Sequence, residues 1–121
     1  MENFVLVRPE HLSHQGYLFG GQMLKWVDES AWLAASREYP DCTLVTIALD
    51  RVEFRQRVAN GAILRFHVQF VSQGSSSVTY SVHVFHDVSP SRTVAVFTTR
   101  VTFVRVNESG EKCPLPDRKD S

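Results

Sequence analysis

Two hydrophobic periods alternate along the chain, and the switches between them mark out its elements. Residues 2–7, ENFVLV, predict a short strand that ends at Arg8-Pro9. A polar loop follows over 10–19, EHLSHQGYLF, with Gly16 inside it and aromatic residues at its close. From about Gly21 to Glu38 the apolar residues recur at helical spacing. Tyr39-Pro40-Asp41 stops that helix, because the residue before a proline is pushed out of helical geometry. Beyond it the period falls to two. Residues 43–54, TLVTIALDRVEF, are β-branched and aromatic. Residues 62–71 set Leu64, Phe66, Val68 and Phe70 against Ile63, Arg65, His67 and Gln69. Residues 76–86 set Val78, Tyr80, Val82 and Val84 against Ser77, Thr79, Ser81 and His83, and 92–106 form a last long strand. Asn60-Gly61, Gln73-Gly74-Ser75 and Ser89-Pro90-Ser91 supply turns. The pattern predicts one α+β domain over 1–107, its four later strands antiparallel by their short connections, and a polar, flexible tail over 108–121. The helix is apolar nearly all round, through Met23, Leu24, Trp26, Val27, Ala31, Trp32, Leu33, Ala34 and Ala35, and needs cover on several sides. One antiparallel sheet wrapped around one long central helix provides it.

Composition narrows the function. At 121 residues the chain makes one domain, small enough for oligomerisation to help its stability. Thirteen basic and thirteen acidic side chains cancel, which argues against a general nucleic-acid or acidic-membrane binder but leaves room for a local basic patch. Cys42 and Cys113 fall in a turn and in the polar tail, so no disulfide framework is expected. No basic-then-apolar leader and no membrane-spanning apolar run is seen, and a soluble cytoplasmic protein is expected.

The chemistry concentrates in YLFGGQMLKWVDESAW, residues 17–32. At 100° per residue Asp28 shares a stripe with Gly21, Leu24, Ala31, Trp32 and Ala35, whereas Glu29 falls beside Gln22, Lys25 and Ser36 on the solvent side. Asp28 either reaches a rim or pairs with a strand arginine, or it is a carboxylate held in a low-polarity cleft as general base or nucleophile. Gly20 and Gly21 open the helix with no Ser, Thr, Asp or Asn beside them to cap its first N–H groups. They either let the loop pack tightly, or let a ligand oxygen approach those N–H groups as in an oxyanion hole. Seven residues of helix span about 10 Å, so one chain grips one carbonyl poorly with both groups. Antiparallel helices of a two-fold dimer would bring Gly21 of one subunit beside Asp28 of the other.

These residues resemble those of the hot-dog-fold acyl-CoA thioesterases. The resemblance rests on HLSHQGYLFGGQMLKWVDE, VTIALDRVEF, VSQGSSSVTYSVHVF and VTFVRVNESGEKCPLP, and covers nearly all of 5–116. It implies a hot-dog fold, dimers assembling to tetramers or hexamers, and hydrolysis of an acyl-CoA, with coenzyme A as part of the substrate and no separate cofactor or metal. It implies Asp28 as the catalytic carboxylate and the N–H of Gly20 or Gly21 as the group that polarises the carbonyl. Ser13 stands where the family commonly carries Asn, with a shorter reach and no amide donor. His14 and Gln15 line the same loop as candidate substrate contacts. The serines Ser75, Ser76 and Ser77 occupy a turn where the family often adds a basic residue, which would weaken CoA phosphate contacts there or move them to Arg55 or Arg57. Both arginines also read as ordinary strand-end charges. Two other functions fit the same residues: a hot-dog hydratase or dehydratase using His14 with Asp28, and a noncatalytic acyl-CoA-binding protein.

Overall fold

A computed structural model of the chain describes residues 1–118. It contains five strands and one long helix: β1 (Glu2–Leu6), α1 (Gly20–Glu38), β2 (Thr43–Phe54), β3 (Ile63–Gln73), β4 (Ser77–Ser89) and β5 (Arg92–Val106), with a short 3-10 turn at Pro9–His11 before the helix. In α1 the buried positions are Met23, Val27, Ser30, Ala31, Ala34 and Ala35, one stripe at helical spacing. The alanines in that stripe let the helix lie close on the sheet. Its floor is built by the inward members of each alternation: Leu64, Phe66 and Val68 on β3, Val78, Tyr80, Val82 and Val84 on β4, and Phe97, Val101 and Phe103 on β5. The outward members of β3 and β4, such as Arg65, His67, Ser81 and His83, lie on the opposite face of the sheet, as the period of two requires.

The strand order is β1-β3-β4-β5-β2, with every pairing antiparallel. β2 therefore does not neighbour β3, as the short connection between them suggests, but pairs with β5 at the far edge. The helix explains this. It leaves one sheet edge at β1, runs across the inner face, and delivers β2 to the other edge. The return from β2 to β3 crosses three inter-strand gaps, about 14 Å, which residues 55–62 cover without strain. Gly61, at φ +88°, makes the sharp turn into β3.

Residues 108–118 of the expected tail make defined contacts with the sheet. Asn107 caps a turn with its side-chain oxygen, accepting from the N–H groups of Ser109 and Glu111 at 2.9 and 3.0 Å. The chain then runs back along β5: the Cys113 N–H donates to the Arg105 carbonyl at 3.1 Å and the Leu115 N–H to that of Ser75 at 2.8 Å. Leu115 joins the core. The Arg118 guanidinium donates to the Glu38 carboxylate at 3.0 Å and stacks on the Phe70 ring at 4.0 Å. Glu38 also accepts from the Tyr80 hydroxyl, and burial together with that carboxylate pushes the Tyr80 pKa far up, so Tyr80 remains a donor. A polar composition concealed one apolar anchor and one ion pair. Residues 119–121, the last of the predicted tail, lie outside the described residues. Both cysteines are free thiols.

Candidate active site

The loop ahead of α1 is shaped by its own backbone. Gly16 takes φ +84°, and its N–H donates to the Ser13 carbonyl at 3.0 Å while the Ser13 N–H donates to Tyr17 at 2.8 Å. The Ser13 hydroxyl accepts from the Gln15 N–H at 3.2 Å. Leu18 then hydrogen-bonds the Val58 carbonyl and Phe19 that of His11, at 2.8 and 2.9 Å, so the loop is sewn to the β2–β3 connection and to the 3-10 turn. Phe19 enters the helix as its N-cap with no side-chain capping bond. Gln22 and Met23 find the Phe19 carbonyl, and among the described residues the N–H groups of Gly20 and Gly21 meet no acceptor.

The two glycines have different reasons to be glycine. A Cβ on Gly20 would touch only the edge of the Phe54 ring, at 3.4 Å, an ordinary contact. A Cβ on Gly21 would stand 2.6 Å from a ring carbon of Phe19, which folds back over the first turn. A side chain at 21 would need the exposed Phe19 ring to swing aside. At 20 nothing need move, and Gly20 lines an open cavity of about 480 Å³. Ser13, His14, Gln15, Gly20, Arg55 and Arg57 all line that cavity, and Phe19, Met23, Phe54 and Val58 form its apolar wall. Phe54 is braced edge-on against Phe97 at 4.8 Å, and Arg57 lies over the Tyr17 ring at 5.0 Å.

Asp28 does not line this cavity. It sits two turns further along α1, half-buried against β2, where the Thr46 hydroxyl donates to its Oδ1 at 2.6 Å. Its partner is thus a strand hydroxyl and not the arginine that one reading of the sequence allowed. Thr46 went unmarked in the sequence because a threonine in a β-branched strand is expected anyway. Its one distinguishing signal is that the strand places a hydroxyl, not a methyl cluster, opposite the helical acid. The surroundings of the pair are unfinished. β2 is an edge strand with Val45 and Ile47 exposed, and Trp32 and Leu33 of α1 are exposed too, Trp32 at 45% and Ile47 at 54%.

Ser75, Ser76 and Ser77 are not brought to the cavity within one chain. They form the β3–β4 turn and the first residue of β4, where the Ser76 carbonyl accepts from Arg105 of β5 and the Ser75 carbonyl from Leu115 of the returning C-terminal segment. Among the described residues no group of three or more His, Cys, Asp or Glu side chains is arranged to hold a metal ion, and no helix is long and apolar enough to cross a membrane.

Comparison with known proteins supplies the lineage of this arrangement. Acyl-coenzyme A thioesterase 11 of Mus musculus is 31% identical over 104 residues, which is 85% of this chain but only 17% of that protein. Among solved structures, a hexameric hotdog-fold thioesterase of Campylobacter jejuni superposes with a TM-score of 0.84 at 28% identity, covering 94% of this chain and 88% of that one. An acyl-CoA hydrolase of Staphylococcus aureus, solved with butyryl coenzyme A and coenzyme A, superposes with a TM-score of 0.87 at 25% identity, covering 96% of this chain and 71% of that one. The model of the Thioesterase superfamily matches residues 15–93, the stretch from the glycine loop through α1 to the start of β5. The chain belongs to the thioesterase superfamily, on the hot-dog fold of its acyl-CoA thioesterases.

Proposed function

We propose that the protein hydrolyses acyl-CoA thioesters to a free acid and coenzyme A in the cytoplasm, at sites shared between the two subunits of a dimer. The observation that carries this is a division within one chain. The cavity is lined by Gly20, whose N–H meets no acceptor among the described residues, but not by Gly21 and by no carboxylate, while the Asp28 carboxylate is bonded to the edge strand β2. Pairing β2 with its two-fold copy would continue the sheet, cover Val45, Ile47, Trp32 and Leu33, and set Asp28 of each subunit at the cavity of the other. The Campylobacter relative is hexameric, which favours three such dimers over a tetramer.

In this site the thioester oxygen accepts from the Gly20 N–H at the positive end of α1, with Gly21 beside it, and the carbonyl carbon becomes electrophilic. Thr46 occupies one oxygen of Asp28. The other takes a proton from water as the water oxygen bonds to the carbonyl carbon, or attacks that carbon itself and is freed by water later. The C–S bond then breaks, and coenzyme A leaves as thiolate and is protonated. Ser13, His14 and Gln15 line the approach, and Arg55 and Arg57 stand at its mouth with charges suited to CoA phosphates. The Staphylococcus protein has also been solved with an aspartate or a threonine replaced by alanine, the same two residue types that are hydrogen-bonded here.

An acyl-CoA panel followed by free thiol tests the reaction, with enoyl absorbance as the readout for a hydratase; thiol release with no enoyl signal is expected. Sharing is tested by mixing Asp28→Asn with Gly20→Val. Half of randomly reassorted dimers are mixed and each holds one intact site, so about a quarter of wild-type activity should return. No recovery after demonstrated subunit exchange would place both groups in one chain.

A further inference from the structure

Phe19-Gly20-Gly21 puts one large side chain directly ahead of two residues that have none. Phe19 belongs to the cavity wall and not to the core, and it is 57% exposed. We propose that Phe19 sets which acyl groups the site accepts. Its ring, lying in the space left by the missing Cβ of Gly21, bounds the acyl α-carbon and selects straight-chain over α-branched acyl thioesters. The inference rests on the thioesterase reading and names the substrate class within it.

Two rings flank the first turn of α1. The Cβ direction of Gly20 meets the Phe54 ring at 3.4 Å, and that of Gly21 meets the Phe19 ring at 2.6, 3.2 and 3.4 Å. Successive side-chain directions differ by about 100° around a helix, so the rings stand on two sides of the same turn. They differ in freedom. Phe54 is braced edge-on by the buried Phe97 at 4.8 Å. Phe19 is fixed only through its backbone: its N–H donates to the His11 carbonyl at 2.9 Å, and its carbonyl accepts from Gln22 and Met23 at 3.0 and 3.2 Å. Among the described residues its ring meets no other ring and no cation. Two side-chain torsions therefore decide where it lies. Its place over the first turn is open only because residue 21 has no Cβ.

The reacting group comes within reach of that ring. An oxygen accepting from the Gly20 N–H lies about 2.9 Å from the nitrogen, and the acyl α-carbon is two bonds beyond it. Charge gives the direction. Arg55 and Arg57 follow Phe54 in the chain and line the same cavity, so a CoA arm that reaches them leaves past Phe54, and the acyl group points to the Phe19 side. Met23 and Val58, both buried, form the floor along which a straight chain extends. An α-methyl group adds a second branch beside the carbonyl. Room for it has to come from the Phe19 ring, since Phe54 is braced and the floor is packed from beneath.

The test uses two isomers. Butyryl-CoA and isobutyryl-CoA contain the same atoms, so the ratio of their kcat/KM values reads shape at the α-carbon and not hydrophobicity. The wild type should favour butyryl-CoA by at least about tenfold, the scale of one misplaced carbon in an apolar pocket. Phe19→Ala should bring the ratio to within about threefold, with little change in a thermal melt because the ring is exposed. Gly21→Ala should widen the ratio by pushing the ring toward the cavity, and adding Phe19→Ala should abolish the widening, because the methyl acts only through the ring. A merely structural role for Phe19 would lower both rates together and leave the ratio alone. A wild-type ratio near one, a ratio unchanged by Phe19→Ala, or a Gly21→Ala effect that persists without the ring overturns the proposal. If the wild type releases thiol from no acyl-CoA, the thioesterase reading fails by itself. The straight and α-branched ketone analogues of the two thioesters, with a methylene between sulfur and carbonyl, then decide the role of Phe19 by calorimetric titration. Binding at least about tenfold tighter for the straight ketone, with the difference lost in Phe19→Ala, supports it. Equal binding, or none, refutes it.

Discussion

Replacing Thr46 by valine isolates one hydrogen bond on the acid proposed to do the chemistry. The hydroxyl donates to Asp28 at 2.6 Å, in the short range of an O–H donor facing a carboxylate. Valine keeps the β-branched shape that the strand position favours and removes only the donor. Hydrogen bonds to charged groups contribute about 1.5–3 kcal/mol. Asp28 is only half-buried, so water replaces part of the lost bond, and the lower end of that range applies. At about 1.4 kcal/mol per tenfold, kcat should fall about ten- to thirtyfold. KM should change little, because the hydroxyl touches the acid and not the cavity lining. Thr46→Ser keeps the donor and should restore most of the rate. The assay is thiol release under saturating acyl-CoA, with a thermal melt beside it. A valine variant that keeps more than half of wild-type kcat, or a serine variant as slow as valine, would show that the bond holds β2 to α1 and does not orient the acid.

Asp28→Asn should lower kcat by at least about 10²-fold with oligomer size unchanged on a sizing column, as expected for loss of a catalytic base or nucleophile. Gly21→Ala places a methyl 2.6 Å from the Phe19 ring and should lower kcat/KM by driving that ring into the cavity, with Phe19→Ala in the same chain recovering part of the loss. Leu115→Ala should cost about 2 kcal/mol in urea unfolding, the low end for a buried leucine, because Leu115 anchors the C-terminal segment in the core. His83 has its folded pKa depressed below 6.5, so its contribution to stability is fully present above that pH and is lost as pH falls through the depressed value. His83→Gln should flatten the melting-temperature slope between about pH 7 and pH 5.

What could be read before folding, and what could not, follows from the range of the forces involved. β4 was legible residue by residue, since Val78, Tyr80, Val82 and Val84 are the buried members of its alternation. The helix was equally legible, because Pro40 and the apolar stripe are local facts. Strand order was not, because which edge receives β2 depends on α1 crossing the sheet, and periodicity carries no record of that path. The contacts of the tail were hidden for a related reason: one leucine and one arginine among polar residues look unanchored until Ser75 and Glu38 are in place. Within the candidate site the loop residues Ser13, His14 and Gln15 and the glycines fall together because they are neighbours in sequence. Arg55 and Arg57 join them through contacts distant in sequence, the backbone bond from Leu18 to Val58 and the stacking of Arg57 over Tyr17. Asp28 stands apart from all of them, and this separation is the informative part. A carboxylate hydrogen-bonded by Thr46 of an edge strand, away from the cavity, is the arrangement from which the shared site is proposed. Hydrophobic periodicity reports that a face is buried but not by which copy of the chain. The exposed Trp32, Leu33, Val45 and Ile47 are the surface that the proposed pairing of β2 with a second copy would cover.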